Sequence, residues 1–559
     1  MNKTELKNLL LQKEKEYLSE LVLMLLYKLN DEKRMDFTAK YINAKVVLSE
    51  LGKLESDDFL SEVNDFCEAC LDGEYYVEAY YDDYSDSYDE SEFEDSDWAK
   101  EFAKYFRLSV VHARNGDFKM AYLALDNLFE CINKASDDYE ILGTGQPLEY
   151  IKIDVSDTLE AFFESALKYH KNSISAYEKI FETWLDFRGY FAADISIYIT
   201  NFSVSLKALE NNVRCLGFAK SEQIYLLVKK IHEDKGAEFN GVAVSSKLVE
   251  YDPNYSLYLA QGYYDIKQWD KAVDTVLKYI TLVGTTGTNA NYYQRHDHNS
   301  VSYKLKTILV DSYEQSGQTE DSYTAALEMF KSYKWFLLYK RARFLAKKIM
   351  NITNFVDKTE KWLENQKSDA YSGRDNKLLL RKILSFEGRR DKLIQIAPQD
   401  LKNVQWGAYG SDDSYEYIKY TATSLIFASL GNSGIGAKKN TDEISGAGID
   451  YGLKNLSEFM AKIKCENNEG ISDMFLFEKD SANQERYLSS AVDMLRKMIQ
   501  FHIDGAQRKS YTKAAYYAGI EEDVCEVLGK SDDYIQSLMK ENNRRPAFKE
   551  EMRKVFKNI

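Results

Sequence analysis

Proline is almost missing from this chain: four residues in 559, at Pro147, Pro253, Pro398 and Pro546. With so few breakers, long stretches are free to run as helix. Long apolar runs are missing too. The longest, Leu21 to Tyr27, is far short of the roughly 20 residues that a membrane span needs, and no membrane partner is expected. Cysteine is sparse: Cys67, Cys70, Cys131, Cys215, Cys465 and Cys525 are scattered in a way that reads as reduced thiols, not a disulfide framework. The start of the sequence lacks a short apolar core followed by a small-residue cleavage site, so the expected location is cytoplasmic. Positive charge is in deficit, with 73 Lys and Arg against 90 Asp and Glu for a net −17. That balance opposes direct nucleic-acid binding, whose affinity comes from cations that displace counterions from phosphates.

What remains is a long, apolar, acidic chain. Its 559 residues exceed the roughly 250 to 300 at which single cores stop growing, so several domains or a repeat array are expected. The stretch "RLSVVHARNGDFKMAYLALDNLFE" reads as two helices around a turn at Asn115 and Gly116. Leu108, Ser109, His112, Gly116, Phe118 and Ala121 follow the tetratricopeptide order of large, small, large, turn, aromatic, small. Leu259, Ala260, Tyr263, Lys267, Trp269 and Ala272 fill the same slots, and Leu309, Val310, Tyr313, Gly317, Thr319 and Ser322 fill them more loosely. Small residues belong where two helices cross closely. The predicted fold is an all-α, TPR/HEAT-like solenoid of antiparallel helix pairs.

The predicted organisation is an N-terminal helical segment (1–72), an acidic tyrosine-rich linker (73–98) and TPR-like repeats (99–350). Further repeats (351–430), a glycine-rich insertion with its flank (431–480) and a C-terminal helical segment (481–559) follow. From Asp72 to Asp97 there are twelve carboxylates, six tyrosines and no Lys or Arg. Two readings stand: a solvated tether, or a contact surface on which tyrosines supply area and carboxylates steer a basic partner. Its candidate partner-binding residues are Tyr75, Tyr76, Tyr80, Tyr81, Asp82, Asp83, Tyr84, Asp86, Tyr88, Asp89 and Glu90. Mimicry of nucleic-acid charge is a third. The glycine-rich text around Gly431, Gly434, Gly436, Lys438, Gly446 and Gly448 is a candidate cleavage loop. It fails as a phosphate cradle, because Ala437 separates Gly436 from the lysine and Lys439 stands where a hydroxyl should be.

Two short patterns touch metal chemistry. Cys67 and Cys70 in "CEAC" have the spacing of half a zinc site, but no second pair follows, and on a helix they share one face as packing residues. His296 and His298 flank Asp297 in a polar stretch read as a solvated loop. No cofactor or metal site and no catalytic constellation is expected, so the chain is read as a non-enzyme.

The ending, with Arg544, Arg545, Pro546 and Phe548, resembles the helical region that follows the SWIM zinc finger in bacterial proteins and their finger-less relatives. "TELKNLLLQKEKEYLSELVLML", "HARNGDFKMAYLALDNLFE" and "LVDSYEQSGQTEDSYTAALEMFKSY" resemble the same region. The zinc signature, a Cys-x-Cys pair and a later Cys-x-His, is missing here, so the finger is not carried over. The resemblance implies a bacterial helical-repeat protein with no catalytic residues to transfer. The expected role is a scaffold or regulatory adaptor that binds a protein or peptide on the concave helical-repeat surface between about Trp98 and Met350, assisted by the acidic segment. The alternatives are an acidic inhibitor seated in a basic groove and a regulator switched by cleavage at 431–452.

Overall fold

Ser96 opens the first long helix after the acidic stretch. Its Oγ accepts a hydrogen bond from the Ala99 amide at 3.3 Å, which satisfies a donor that a helix start otherwise leaves orphaned. The computed structural model describes residues 22–29, 34, 37, 38, 56–190, 194–283, 300–366, 372–430 and 480–556, apart from 79, 83–86, 90–92, 94–95, 405, 407–412 and 531–532. The candidate cleavage loop, His296 and His298 lie outside them.

The fold is all-α and built from helical repeats, as the pattern predicts. Among the described residues the strands are β1 (Tyr80–Asp82) and β2 (Ser87–Asp89), an antiparallel pair. The chain divides into two compact units, Met1–Gly262 and Tyr263–Ile559. The first holds α1 (Ser56–Leu71), α2 (Asp97–Arg114), α3 (Phe118–Asp137), α4 (Val155–Tyr169), α5 (Ile174–Phe187), α6 (Phe202–Cys215), α7 (Phe218–Asp234) and α8 (Gly241–Leu248). Helix α9 (Ser256–Asp265) spans the division. The second unit continues with α10 (Trp269–Tyr279), α11 (Val301–Gln315), α12 (Thr319–Tyr333), α13 (Phe336–Ile349), α14 (Ile352–Glu364), α15 (Ser372–Phe386) and α16 (Arg390–Asn403). It ends with α17 (Asp413–Leu430), α18 (Gln484–Asp504), α19 (Arg508–Val527), α20 (Tyr534–Glu541) and α21 (Pro546–Val555). Within each unit, helices close in sequence pack on one another, as α2 does on α3, α3 on α4, α11 on α12 and α18 on α19.

All three repeat copies turn by the same hydrogen bonds. In the first, the Asp117 amide reaches His112 O at 3.0 Å and the Gly116 amide reaches Ala113 O at 3.0 Å, with Gly116 at φ +87°. In the third, Gln318 reaches Tyr313 O at 2.9 Å and Gly317 reaches Glu314 O at 3.2 Å, with Gly317 at φ +78°. This is a Schellman cap, which needs a left-handed residue just past the helix. The middle copy makes it with a side chain present: Gln268 reaches Tyr263 O and Lys267 reaches Tyr264 O, both at 2.9 Å, with Lys267 at φ +60°.

Beyond each turn sits the small slot. Ala121, Ala272 and Ser322 are fully buried, as is Ala260, and the Ser322 hydroxyl donates to Val310 O on the neighbouring helix at 3.1 Å. Leu108 and Leu259 are buried, whereas Phe118, Trp269 and Tyr313 are half-buried at the edge of the crossing.

Across residue 350, where further repeats are expected to continue, Tyr339 of α13 packs on both Phe330 of α12 and Phe355 of α14 with ring centroids 5.6 Å apart. A shared aromatic core joins the two stretches. The stretch 73–98 is not wholly linker: Trp98 is fully buried within α2, beside Phe93 and Tyr150.

The second unit buries one histidine in a hydrogen bond. His502 Nε2 lies 2.7 Å from Tyr415 Oη. Burial, and then the charges of Lys513 and Lys419, push its pKa down from 6.5 to about 4. A depressed histidine favours the fold while neutral, so stability is complete above about pH 6.5 and falls as pH drops from there toward 4. Urea melts across that window should show the loss, and His502→Asn should flatten it. Lys267→Gly should raise stability by about 1 kcal/mol by relieving the left-handed side chain, and thermal melting checks it; no gain would mean that the turn is unstrained.

Candidate functional site

The acidic segment is held at both ends. Tyr75 sets its ring edge-on against Phe66 of α1, centroids 5.2 Å apart, and burial raises the pKa of its phenol. Two residues on, the carbonyl of Val77 lies where a Cβ on Gly143 would be, 1.7 Å away. Gly143 sits at φ +85° and caps the helical turn Tyr139–Leu142; no other residue fits there. At the far end Phe93 is buried, its centroid 5.1 Å from that of Tyr150. Between these anchors Tyr80 pairs with Asp89, Tyr81 with Tyr88 and Asp82 with Ser87. Tyr76 is exposed. Asp83, Tyr84, Asp86 and Glu90 lie outside the described residues. Both ends of the segment are thus docked, and a short antiparallel strand pair lies between them.

The second unit carries a surface of opposite character. From Lys331 to Met350 the sequence holds seven cations and no carboxylate, and most of it is α13. Leu337 and Phe344 stand on this helix with 67% and 53% of their surface exposed. They are seven residues apart, two turns on one face, with Arg341 between them. Beside Leu337 opens a groove of about 410 Å³ between α11, α12 and α13. Its floor is apolar, from Val310, Ala326, Met329 and Leu338. Tyr303, Asp311, Lys340 and Arg341 form its walls.

The charges there are partly committed. Arg341 donates to Asp311 at 2.7 Å and to Glu314 at 2.5 Å, and Lys348 pairs with Glu314 at 2.9 Å. Burial raises the pKa of Asp311, and Arg341 opposes that rise. Lys306, whose ammonium lies 5.3 Å from the Tyr333 ring centroid, has its pKa lowered by burial. The arrangement suits an apolar side chain entering the floor and carboxylates meeting the rim.

The sequence reading places contact on the repeat surface between about Trp98 and Met350, assisted by the acidic tyrosines; α13 lies within that span but is not singled out by it. The available signal was the reversal of charge: a 20-residue run without acid in an acidic chain. It also missed the partner of "CEAC". Cys67 and Cys70 are buried on α1, and the fold brings buried Cys131 of α3 against them. Among the described residues no group of His, Cys, Asp or Glu is arranged to hold a metal ion, and no helix is long and apolar enough to cross a membrane.

No protein-family model matches the chain, and no curated protein matches it. The functional reading therefore rests on the residues. Gly143→Ala should displace Val77 and release the N-terminal anchor of the acidic segment. Limited chymotrypsin digestion followed by mass spectrometry should then show cleavage between Tyr75 and Tyr88 accelerated severalfold; an unchanged pattern would mean that the anchor does not hold it.

Proposed function

We propose that this chain is a non-catalytic scaffold or adaptor that binds an acidic peptide segment of a partner protein on α13 and the groove beside it. The observation that carries the reading is the apolar pair Leu337 and Phe344, exposed among cations next to an apolar-floored groove. Exposed large apolar side chains rimmed by charge mark protein interaction surfaces. An amphipathic segment recognised in this way places apolar anchors in the groove and carboxylates outward, where Lys340, Lys347 and the Arg341 network meet them. Helical repeats supply a rigid frame for such a contact, so little ordering entropy is lost on binding.

The partner's chemistry follows from the surface: acidic, with one or two large apolar or aromatic side chains. The chain's own Gly73–Trp98 has that composition and serves as the probe. A labelled synthetic peptide of this sequence is titrated with the full-length protein by fluorescence anisotropy, beside a control peptide with lysine in place of each carboxylate. The acidic peptide should bind and the control should not, and rising salt should weaken the complex. Leu337→Glu and Phe344→Glu should each cost at least about tenfold in Kd, or about 1.4 kcal/mol. Equal binding of both peptides, binding of neither, or no effect of the two substitutions would overturn the reading.

A further inference from the structure

Three thiols converge in the first unit from two helices far apart in sequence. Cys67 and Cys70 lie in the last two turns of α1, and Cys131 lies in the middle of α3. Their exposures are 6%, 0% and 1%. Cys131 Sγ is within hydrogen-bonding reach of both Cys67 and Cys70 Sγ. The backbone fixes this arrangement as well: Cys131 Sγ lies 3.8 Å from Cys67 O, and Cys67 Sγ lies 3.7 Å from Asn127 O. Asn64 and Asn127 hydrogen-bond across the same pair of helices.

A buried cysteine by itself is an ordinary small apolar residue. Packing does not call for three thiols gathered between one pair of helices. Nor is the group a metal site, since the residues are not arranged to hold an ion. The distinctive feature is chemical asymmetry. In the resting geometry the Cys131 S–H donates to Cys67 O, but the neighbouring Cys67 and Cys70 and then Lys134, one turn along α3, lower its pKa while those of Cys67 and Cys70 are raised, so Cys131 is the member of the group that gives up its proton first to form the nucleophilic thiolate.

We propose that Cys131 and Cys67 are a disulfide-forming pair, a site of reversible oxidation by hydrogen peroxide, with Cys70 as the alternative partner. The steps balance. Cys131 thiolate attacks one peroxide oxygen, the O–O bond breaks, and the departing hydroxide takes a proton to become water, which leaves Cys131 as sulfenic acid. The Cys67 sulfur attacks the Cys131 sulfur, the S–O bond breaks, and the hydroxyl leaves as a second water with the Cys67 proton. Two thiols are oxidised by two electrons and one peroxide is reduced. Cys67 is the first partner because it alone of the two has any exposure. The burial of the site selects an oxidant of nearly water size over a bulky disulfide. The new bond closes a loop that contains the whole acidic segment and ties α1 to α3, so oxidation constrains the base from which the hairpin projects.

The test uses the full-length folded protein with and without hydrogen peroxide, quenched by alkylation in denaturant and digested with trypsin. No Lys or Arg lies between Leu54 and Ala99, so Leu54–Lys100 carries both helix α1 thiols and Met120–Lys134 carries Cys131. The expected result is one crosslink joining these two peptides, lost on reduction with dithiothreitol. It should be abolished by Cys131→Ser and moved to Cys70 by Cys67→Ser. In the Cys67→Ser, Cys70→Ser double variant, which lacks any resolving thiol on α1, Cys131 should be trapped by dimedone as sulfenic acid. Full recovery of all three cysteines as alkylated thiols after peroxide, or a disulfide found only between Cys67 and Cys70 within Leu54–Lys100, would overturn the proposal. So would absence of the dimedone adduct in a double variant whose far-UV circular dichroism is native.

Discussion

The fold depends on how its helix pairs reverse direction. A helix leaves its last carbonyls unsatisfied, and at Gly116, Lys267 and Gln318's neighbour Gly317 the chain meets them by turning left-handed and folding two amides back. In the first and third copies the turn is so short that the next helix runs back along the last one, and Ala121 and Ser322 are the buried small residues that permit the close approach. Lys267 shows that the same turn hydrogen bonds are made without glycine's freedom. The packing holds a residue with a side chain in a conformation that costs it energy.

Charge is laid out against composition. A net −17 chain with cations spread evenly would show no local preference for acidic partners. Here one 20-residue stretch excludes acid and another, from Leu54 to Ala99, excludes cations, so each presents a local field that the average conceals. In the basic stretch the intrachain pairs of Arg341 with Asp311 and Glu314 hold the guanidinium at the groove wall. Exposed pairs of this kind contribute little to stability, about 0 to 1 kcal/mol. Their consequence is positional: an arginine already oriented loses less entropy when a carboxylate approaches.

The helical architecture was legible because it rests on local signals. Turn glycines, small slots and apolar stripes are all read within about 20 residues, and Gly116, Ala121, Ala260 and Ala272 sit where that pattern puts them. Features that depend on distant residues were not legible. Cys67 pairs with a residue 64 positions on, and Val77 is received by Gly143; no local period encodes either. The acidic segment illustrates the limit. Its composition argues for solvation along most of its length, yet Tyr75 and Phe93 are apolar enough to dock, and a window average over twelve carboxylates hides two anchors. Repeat slots mark pairs, whereas a domain ends where shared burial ends, and Tyr339 bridges the place where the slots stop.

Helix α3 is where these threads meet in the first unit. It packs against α1, α2 and α4, so any change in its position is felt by three neighbours. Its length carries the small slot at Ala121, the Phe129 ring against Phe106 and Phe162, and Cys131 against α1. Its C-terminus runs into the turn that receives Val77. A helix surrounded in this way cannot shift by itself, because close-packed interiors pass displacement on instead of absorbing it. Chemistry at Cys131 therefore acts on the one helix that holds both the first repeat and the base of the acidic segment. Chemistry at exposed Cys215, at the end of α6, has no such leverage.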